Sequence, residues 1–341
     1  MQKVESYYEL DKARISAQKR NINKLQSAGL YPDRFDLPLL LQFELTRKCN
    51  VFCKHCYNNS GRDNSVADAM TPEKWKNLCK YLVEHGGIFE CILSGGEPLL
   101  LGNDLFDIMD ILHDDGTYFL LITNGFLLTR EIVDRLIKYR YKWIQVSIDG
   151  ATADFHDAFR RRIGSWERAV KGAFMVSSAG LPLTIAHSVS PQNLNDVDEM
   201  CDLAYSLGAG NLILGTISLS GRTFDNDYLV LSPEENELLL EKIEFNANRF
   251  RGKMQIQRSL DERLQFEQNV GIPNGGLIIR PDGNIRLDCM TPFVLGNVLS
   301  DDLIEIWRSK GVDCWDRPEV KAYYEHNGVI VKNYVDDDIL L

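Results

Sequence analysis

Three cysteines, Cys49, Cys53 and Cys56, stand together in this chain, and no fourth lies near them. Proteins that only pass electrons hold a [4Fe–4S] cluster through four thiolates, so a compact set of three leaves one iron open to another ligand. Also missing is any apolar run approaching the roughly 18 residues of a membrane span, and the start Met1-Gln-Lys-Val-Glu-Ser6 lacks the apolar core of a signal peptide. These absences predict a cytoplasmic protein with no membrane partner. There the eight cysteines would be reduced, and a tight group of them points to metal or catalysis before disulfides. An excess of positive charge is lacking as well: 38 Lys and Arg face 49 Asp and Glu, a net charge of −11. That balance opposes non-specific attraction to nucleic acid. Only Lys12 to Lys24 and Arg160 to Arg162 are locally basic, and the first reads as a solvated helix face.

What is present begins with size. At 341 residues, 44% apolar and 26% charged, the chain has the composition of a globular protein with length to bury a core. From residue 38 short apolar runs alternate with amphipathic stretches. Strands are expected at Leu39–Leu45, Phe89–Leu93, Tyr118–Thr123, Trp143–Ile148, Leu183–Val189 and Asn211–Ile217, and helices at Pro72–Glu84, Asp104–His113, Arg130–Lys138, Trp166–Ala179 and Asn195–Leu207. Thr71, Thr129 and Ser165 read as helix N-caps, and Gly86-Gly87, Gly116, Gly180 and Gly208 as helix ends. Strict βα alternation means a parallel sheet with right-handed crossovers, either doubly wound or a partial barrel. In both, ligands bind at the C-terminal ends of the strands.

The unusual residues fall at those ends. The cysteines follow the first strand, Ser94-Gly-Gly-Glu-Pro98 the second, Thr123-Asn-Gly125 the third and Ser147-Ile-Asp-Gly150 the fourth. Four loops on one rim thus converge on one site. The spacing Cys-x3-Cys-x2-Cys favours a reactive cluster over zinc completed by His55 or a distant cysteine, because structural zinc usually pairs two Cys-x2-Cys knuckles and only one is present. After residue 225 the alternation is expected to stop. Ser232-Pro-Glu-Glu235 reads as a capping box, Leu277 to Leu287 as a hairpin turning at Pro281-Asp-Gly283, and Leu303 to Trp307 as a short helix capped by Ser300. The tail Val335 to Leu341 either docks or stays disordered.

These residues resemble the radical SAM superfamily: Cys49-x3-Cys53-x2-Cys56 after strand one and Gly95-Gly-Glu-Pro98 after strand two match its motifs in order over residues 38–225. The resemblance implies an α/β fold, a partial (β/α)6 TIM-like barrel, with one [4Fe–4S] cluster on the three cysteines. Its open iron would bind the amino and carboxylate groups of S-adenosylmethionine, which is cleaved reductively to a 5′-deoxyadenosyl radical that abstracts hydrogen from a substrate. Gly95 and Gly96 would let the backbone approach the methionine part, with Ser94, Glu97, Pro98, Thr123 and Asn124 beside it. Ser147 and Asp149 resemble the family's ribose contacts. His156-Asp-Ala-Phe-Arg-Arg-Arg-Ile-Gly-Ser-Trp166 resembles a stretch of the peptide-modifying branch in which Arg160 would clamp the SAM carboxylate. Arg161 departs from that pattern by replacing a glycine, which puts the loop conformation in question. Asn193 and Gly221-Arg222 match the same branch, with a helix cap and a loop turn as equally good readings.

Residues 226–330 resemble a small α+β SPASM-like cap, but only Cys289 stands at a matching position and Cys314 follows alone. Two thiols cannot hold a cluster, so the cap is expected to be degenerate and without auxiliary iron. Cys289 becomes a candidate hydrogen-atom donor, against the alternative of a small buried hydrophobe; Cys79, Cys91 and Cys201 read as core. Residues 1–37 are expected to be a helical extension and 331–341 an acidic tail. The substrate is expected to be a ribosomally made peptide, with a sugar, aminoglycoside or nucleoside as the alternative and a non-catalytic iron–sulfur or zinc partner protein as the reading from another class. Implied partners are a one-electron donor such as flavodoxin or ferredoxin and, since 38 residues are few for a recognition domain, a separate peptide-recognition protein.

Overall fold

Alternation within each strand decides the fold, because one face of every central strand is made of side chains that water rejects. The computed structural model describes residues 2–260, 262–289, 291–327 and 338–341. A first helix, α1 (Gln2–Ser27), precedes β1 (Leu40–Glu44). There follow α2 (Pro72–Glu84), β2 (Glu90–Ser94), α3 (Asn103–Asp114), β3 (Tyr118–Thr123), α4 (Arg130–Leu136) and β4 (Tyr141–Ser147). Two helices, α5 (Ala153–Arg160) and α6 (Ser165–Ser178), lead to β5 (Leu183–Val189), then α7 (Val197–Ser206) to β6 (Asn211–Thr216). The helix α5 has no counterpart among the expected elements; its eight residues are too few for a clear period.

Leu41, Cys91 and Phe119 share one register across β1, β2 and β3 and are fully buried beneath the helices. Phe43 and Trp75 of α2 join that layer with ring centroids 4.9 Å apart, and the Trp75 indole donates to the Leu45 carbonyl at 3.1 Å. On the opposite face Gln42 donates to Ser94 Oγ at 3.0 Å. The sheet is therefore apolar outside and polar inside, as a barrel with an interior site requires. Cys79, Cys91 and Cys201 are core, as expected.

The alternation does not stop at residue 225. A helix α8 (Pro233–Arg249), opened by the Ser232 and Glu235 capping box, leads to β7 (Gln255–Arg258), which pairs parallel to β6. Four residues with only Ile256 fully turned inward give too weak a pattern to see in sequence. After α9 (Glu262–Asn269), β8 (Gly276–Ile279) returns to pair parallel with β1 on the other side. Eight parallel strands thus run β8-β1-β2-β3-β4-β5-β6-β7. The α1 helix lies beside α8 and α9, with Asp11 paired to Arg258 and Lys19 Nζ donating to the Val270 carbonyl at 2.5 Å.

The expected hairpin is present: β8 turns at Pro281-Asp-Gly283 into β9 (Asn284–Arg286), which pairs antiparallel with β10 (Phe293–Asn297). Next come α10 (Leu303–Ile306), α11 (Pro318–Asn327) and β11 (Ile339–Leu340), the last pairing parallel to β10. Of the acidic tail, residues 331–337 lie outside the described residues, and residues 338–341 dock: Asp338 pairs with Arg280 at 3.1 Å and Lys310 donates to the Leu341 carbonyl at 2.6 Å.

Two expected caps are replaced by carboxylates, which accept two or three N–H groups where a hydroxyl accepts one. Ser165 lies inside α6, whose first turn is capped by Asp157 through Gly164 N, Trp166 N and Ser165 Oγ. Asp302, not Ser300, caps α10, accepting from Ile304 N and Glu305 N at 2.9 Å.

Candidate active site on the cysteine loop

The loop from Thr46 to Gly61 carries the three cysteines and is fastened from several sides. Asn64 grips Cys49 by both backbone groups, accepting from its N at 3.1 Å and donating to its carbonyl at 2.9 Å. Thr46 Oγ1 donates to Asp68 at 2.5 Å. From α5, the carbonyls of Arg160 and Phe159 accept from Phe52 N and Lys54 N, each at 3.0 Å. From the segment after β6, the buried Arg222 donates from Nε to the Cys53 carbonyl at 2.7 Å and from Nη1 to Asn59 Oδ1 and the Ser60 carbonyl. Its guanidinium also lies 3.8 Å from the Phe52 ring centre. A Cβ on Gly221 would come within 2.3 Å of the Cys56 and Tyr57 carbonyls, so the glycine before Arg222 is what lets that segment close on the loop. The family-like pair Gly221-Arg222 is therefore a clamp as well as a turn.

Gly95 and Gly96 face the same loop. A Cβ on Gly96 would meet the Lys48 carbonyl at 2.1 Å, and one on Gly95 the Thr46 carbonyl at 2.7 Å. Their close approach is thus to the cysteine loop's own backbone, sealed by Gly96 N donating to Thr46 O at 2.7 Å and Glu97 N to Lys48 O at 2.9 Å. Glu97 is 0% exposed. Its carboxylate accepts from Leu99 N, Thr123 Oγ1 and Asn124 N, so it ties the second strand end to the third. Burial lifts its pKa to about 7 against those three donors. Asn124, so fixed, brings Nδ2 to 3.8 Å from Cys49 Sγ and 2.7 Å from Asn50 Oδ1. Pro98 is buried behind this contact and Ser94 accepts from Gln42.

The fourth strand end supplies a buried charge pair. Asp149 lies 2.7 Å from Arg160 and accepts from Ser188 N at 2.9 Å. Burial alone would raise its pKa; Arg160, then His55, hold it well below the usual carboxylate range. His55 sits 3.6 Å from Asp149 and stacks on Phe159 with centroids 4.6 Å apart. Its ring is thus turned to the aspartate, and burial lowers its pKa to about 4, so it is neutral at pH 7. Asn193 is fully buried and spends its amide on the Asp149 and Ser188 carbonyls and its oxygen on Ser190. It positions strand ends. Ser147 stays half-buried at the inner end of β4.

Arg161 resolves the question its departure raised. It takes the left-handed conformation, φ 52° and ψ 42°, at the end of α5, so the turn keeps the shape a glycine would give it. Cys289 is half-buried. Its thiol is pushed up to about 12 by burial, then by Asp288 and Glu44. Glu44 in turn accepts from the Tyr57 phenol at 2.7 Å, which places this group beside the loop at the mouth of β1. Cys314 is fully buried and accepts from Asn274 at 3.2 Å.

The donor set suits a polynuclear cationic group. Among the described residues no group of three His, Cys, Asp or Glu side chains stands ready-made for a metal ion, so the fit rests on the chemistry of the thiols. Burial pushes the Cys49 thiol up to about 12 and the Cys53 thiol to about 11, with neighbouring thiols adding to both. A cation among them is what lets such thiols ionise together. Around them Asn50 Nδ2, His55 Nδ1, His156 Nε2 and Arg160 Nε are buried without hydrogen-bond partners, and each such atom is costly unless a ligand meets it.

The Radical SAM superfamily profile matches residues 43–204. An AdoMet-dependent heme synthase of Methanosarcina barkeri is 36% identical over 296 residues, covering 81% of this chain and 83% of that protein. This chain belongs to the radical SAM superfamily. The Antilisterial bacteriocin subtilosin biosynthesis protein AlbA of Bacillus subtilis is 26% identical over 297 residues, covering 86% of this chain; the chain spans 65% of that relative's length. Among solved structures, Streptococcus suis SuiB bound to S-adenosylmethionine has a TM-score of 0.66 at 14% identity, covering 89% of this chain and 72% of that one. SuiB bound to precursor peptide SuiA has a TM-score of 0.63 at 15% identity, covering 90% and 70%. The partial barrel expected from the motifs is thus the fold of this radical SAM enzyme, and the family's cofactors are a [4Fe–4S] cluster and S-adenosylmethionine.

Sequence reading missed Asn64, Asp68 and the Glu44 and Tyr57 pair. Asn64 and Asp68 sit in a polar loop that resembles any surface turn. Glu44 shows only as a carboxylate at a position where the strand pattern asks for an inward residue.

Proposed function

We propose that this radical SAM enzyme modifies a ribosomally made peptide, with Cys49, Cys53 and Cys56 holding a single [4Fe–4S] cluster. The observation that carries the cluster assignment is the packing of buried Cys49 and Cys53 with half-buried Cys56 on a loop held by Asn64, Arg222 and the carbonyls of α5. The cluster supplies the electron that cleaves S-adenosylmethionine. The residues around it orient and enclose. Arg160, with Nε unspent, offers a fork edge to a carboxylate; Ser147 and Asp149 stand on the ribose side; Asn124 borders Cys49, and the Gly95-Gly96 backbone meets the loop at Thr46 and Lys48. Glu97, Thr123 and Asn193 act through the strand ends they tie together.

A peptide substrate is supported by the likeness to AlbA, a bacteriocin biosynthesis protein, and to the fold of SuiB, solved with its precursor peptide. The heme synthase likeness, higher in identity, favours a small-molecule substrate as the second reading. Residues 226–330 carry no further cluster in this reading, and Cys289, a protonated thiol near the mouth of β1, is the hydrogen-atom donor.

Anaerobic reconstitution tests it: about four irons per chain and 5′-deoxyadenosine on reduction are expected, whereas about eight irons defeats the single-cluster claim. Cys289→Ala should abolish product and leave cleavage; full product removes the donor role. A search of the neighbouring reading frames for a short peptide, and incubation of the enzyme with any such peptide, separates the two substrate readings.

A further inference from the structure

The chain carries more acidic than basic residues, 49 against 38, yet residues 160–171 hold five basic residues and one acidic. Arg160 is buried on Asp149. The others, Arg161, Arg162, Arg168 and Lys171, are exposed, and among the described residues no carboxylate pairs with them. They form a rim on the outer side of the cysteine loop. Arg162 and Arg168 lie 4.8 and 4.6 Å from the Phe126 ring centre, and Arg161 lies 5.6 Å from that of Phe52. At the centre of the rim Ile163 is 93% exposed. A groove of about 430 Å³ adjoins it, lined by Phe126, Leu128, Arg168, Lys171 and Met175, with Glu167 its one carboxylate.

The rim is wired to the thiols by short steps. Phe126 N donates to Asn124 Oδ1 at 2.9 Å, and Asn124 Nδ2 lies 3.8 Å from Cys49 Sγ. Phe52, under Arg161, stands between Cys49 and Cys53 in the loop and donates its N–H to the Arg160 carbonyl at 3.0 Å. A positive patch on a negative protein, with exposed apolar groups at its centre and a redox group just beneath, suits a negative partner that must come close and leave again.

We propose that this rim is the docking face of an acidic one-electron carrier protein. The proposal rests on the radical reading above. The carrier is oxidised by one electron and the cluster is reduced by one; no bond to the carrier forms. Carboxylates around the carrier's redox group would meet Arg161, Arg162, Arg168 and Lys171, and its exposed apolar edge would meet Ile163 and Phe126.

The test uses the reconstituted full chain with flavodoxin hydroquinone as probe, following the reduced-cluster signal by electron paramagnetic resonance after rapid mixing. In the triple variant R161E/R162E/K171E the bimolecular reduction rate should fall roughly tenfold or more at low salt, and the wild-type rate should fall towards the variant's as salt is raised. Reduction by the methyl viologen cation radical should be as fast in the variant or faster. If the triple variant holds less iron, Arg162→Gln with Lys171→Gln serves in its place, with a fall of a few-fold expected. An unchanged flavodoxin rate and salt dependence overturns the proposal, as does an unchanged rate with lost binding of an acidic peptide. If wild-type chain makes no 5′-deoxyadenosine even with viologen, the radical reading itself fails.

Discussion

Strands β1 and β8 lie side by side in the sheet, and each is followed by a segment that carries cysteine, yet the two segments treat their thiols in opposite ways. After β1, three thiols, two buried and one half-buried, are packed together on a loop held by Asn64 on Cys49, Arg222 on Cys53 and the α5 carbonyls between them. After β8, Cys289 sits half-buried near Glu44, and Cys314, further along, is enclosed by Asn274. The backbone of the first group is thus held from outside, whereas Cys314 lies in a closed pocket as a small apolar residue.

The sharpest way to break this contrast is to remove one thiol from each side. Cys53→Ala should reduce iron after reconstitution to background and cut S-adenosylmethionine cleavage by more than about a thousandfold, as two thiolates do not hold the cluster. Cys314→Ala should leave iron unchanged and cost about 1 kcal/mol in chemical denaturation, the loss of a small buried group. Iron lost in both variants would erase the distinction.

A second test asks whether the fastening matters as well as the thiols. Arg222→Met keeps an apolar side chain of similar length but removes the guanidinium that lies on Phe52 and donates to Cys53, Asn59 and Ser60. Leaving those buried carbonyls unpaired should cost about 2–3 kcal/mol. Cluster content should fall sharply while the C-terminal hairpin keeps its hydrogen-exchange protection. Equal loss of protection in both segments would show a general destabilisation instead.

The distinction was partly legible in sequence. All six expected strands and all five expected helices fall within about two residues of their observed limits because their apolar periods are long and flanked by glycines and threonines. The cysteine loop and the Gly95-Gly96 loop were visible as strand-end motifs, but their mutual contact was not: a glycine's need for space shows no partner until the fold supplies one. Glu97 reads in sequence as a ligand contact and Asn193 equally as a ligand contact or a helix cap, because a polar residue at a strand end shows no partner; the fold supplies partners on the neighbouring strand ends for both. The seventh parallel strand was hidden because only four residues form it.

A smaller effect separates the α5 turn from the hairpin through pH. Burial would raise the Asp157 pKa, but donation from Trp166 N, Ser165 Oγ and Gly164 N outweighs it and lowers the folded value. The stability so gained is present above the unfolded carboxylate pKa of about 3.9 and is lost as pH falls through the folded value. Asp157→Asn should therefore cost about 1 kcal/mol at pH 7, the value of a helix cap, and the difference from wild type should shrink in acid melts. A difference constant down to pH 2 would assign the loss to shape and not to charge.

The smallest expected change goes the other way. Arg161 holds a left-handed conformation, φ 52°, that costs a side chain with a Cβ about 1 kcal/mol and costs glycine almost nothing. Glycine regains some of that freedom in the unfolded chain, so Arg161→Gly should be neutral to stabilising by at most about 1 kcal/mol in thermal melts. Its iron content should be unchanged, because the α5 carbonyls that meet Phe52 N and Lys54 N belong to residues 159 and 160. If the variant is instead less stable and binds less iron, the Arg161 contact with Phe52 fastens the cysteine loop as Arg222 does, and the outer rim belongs to the site's framework as well as to its surface.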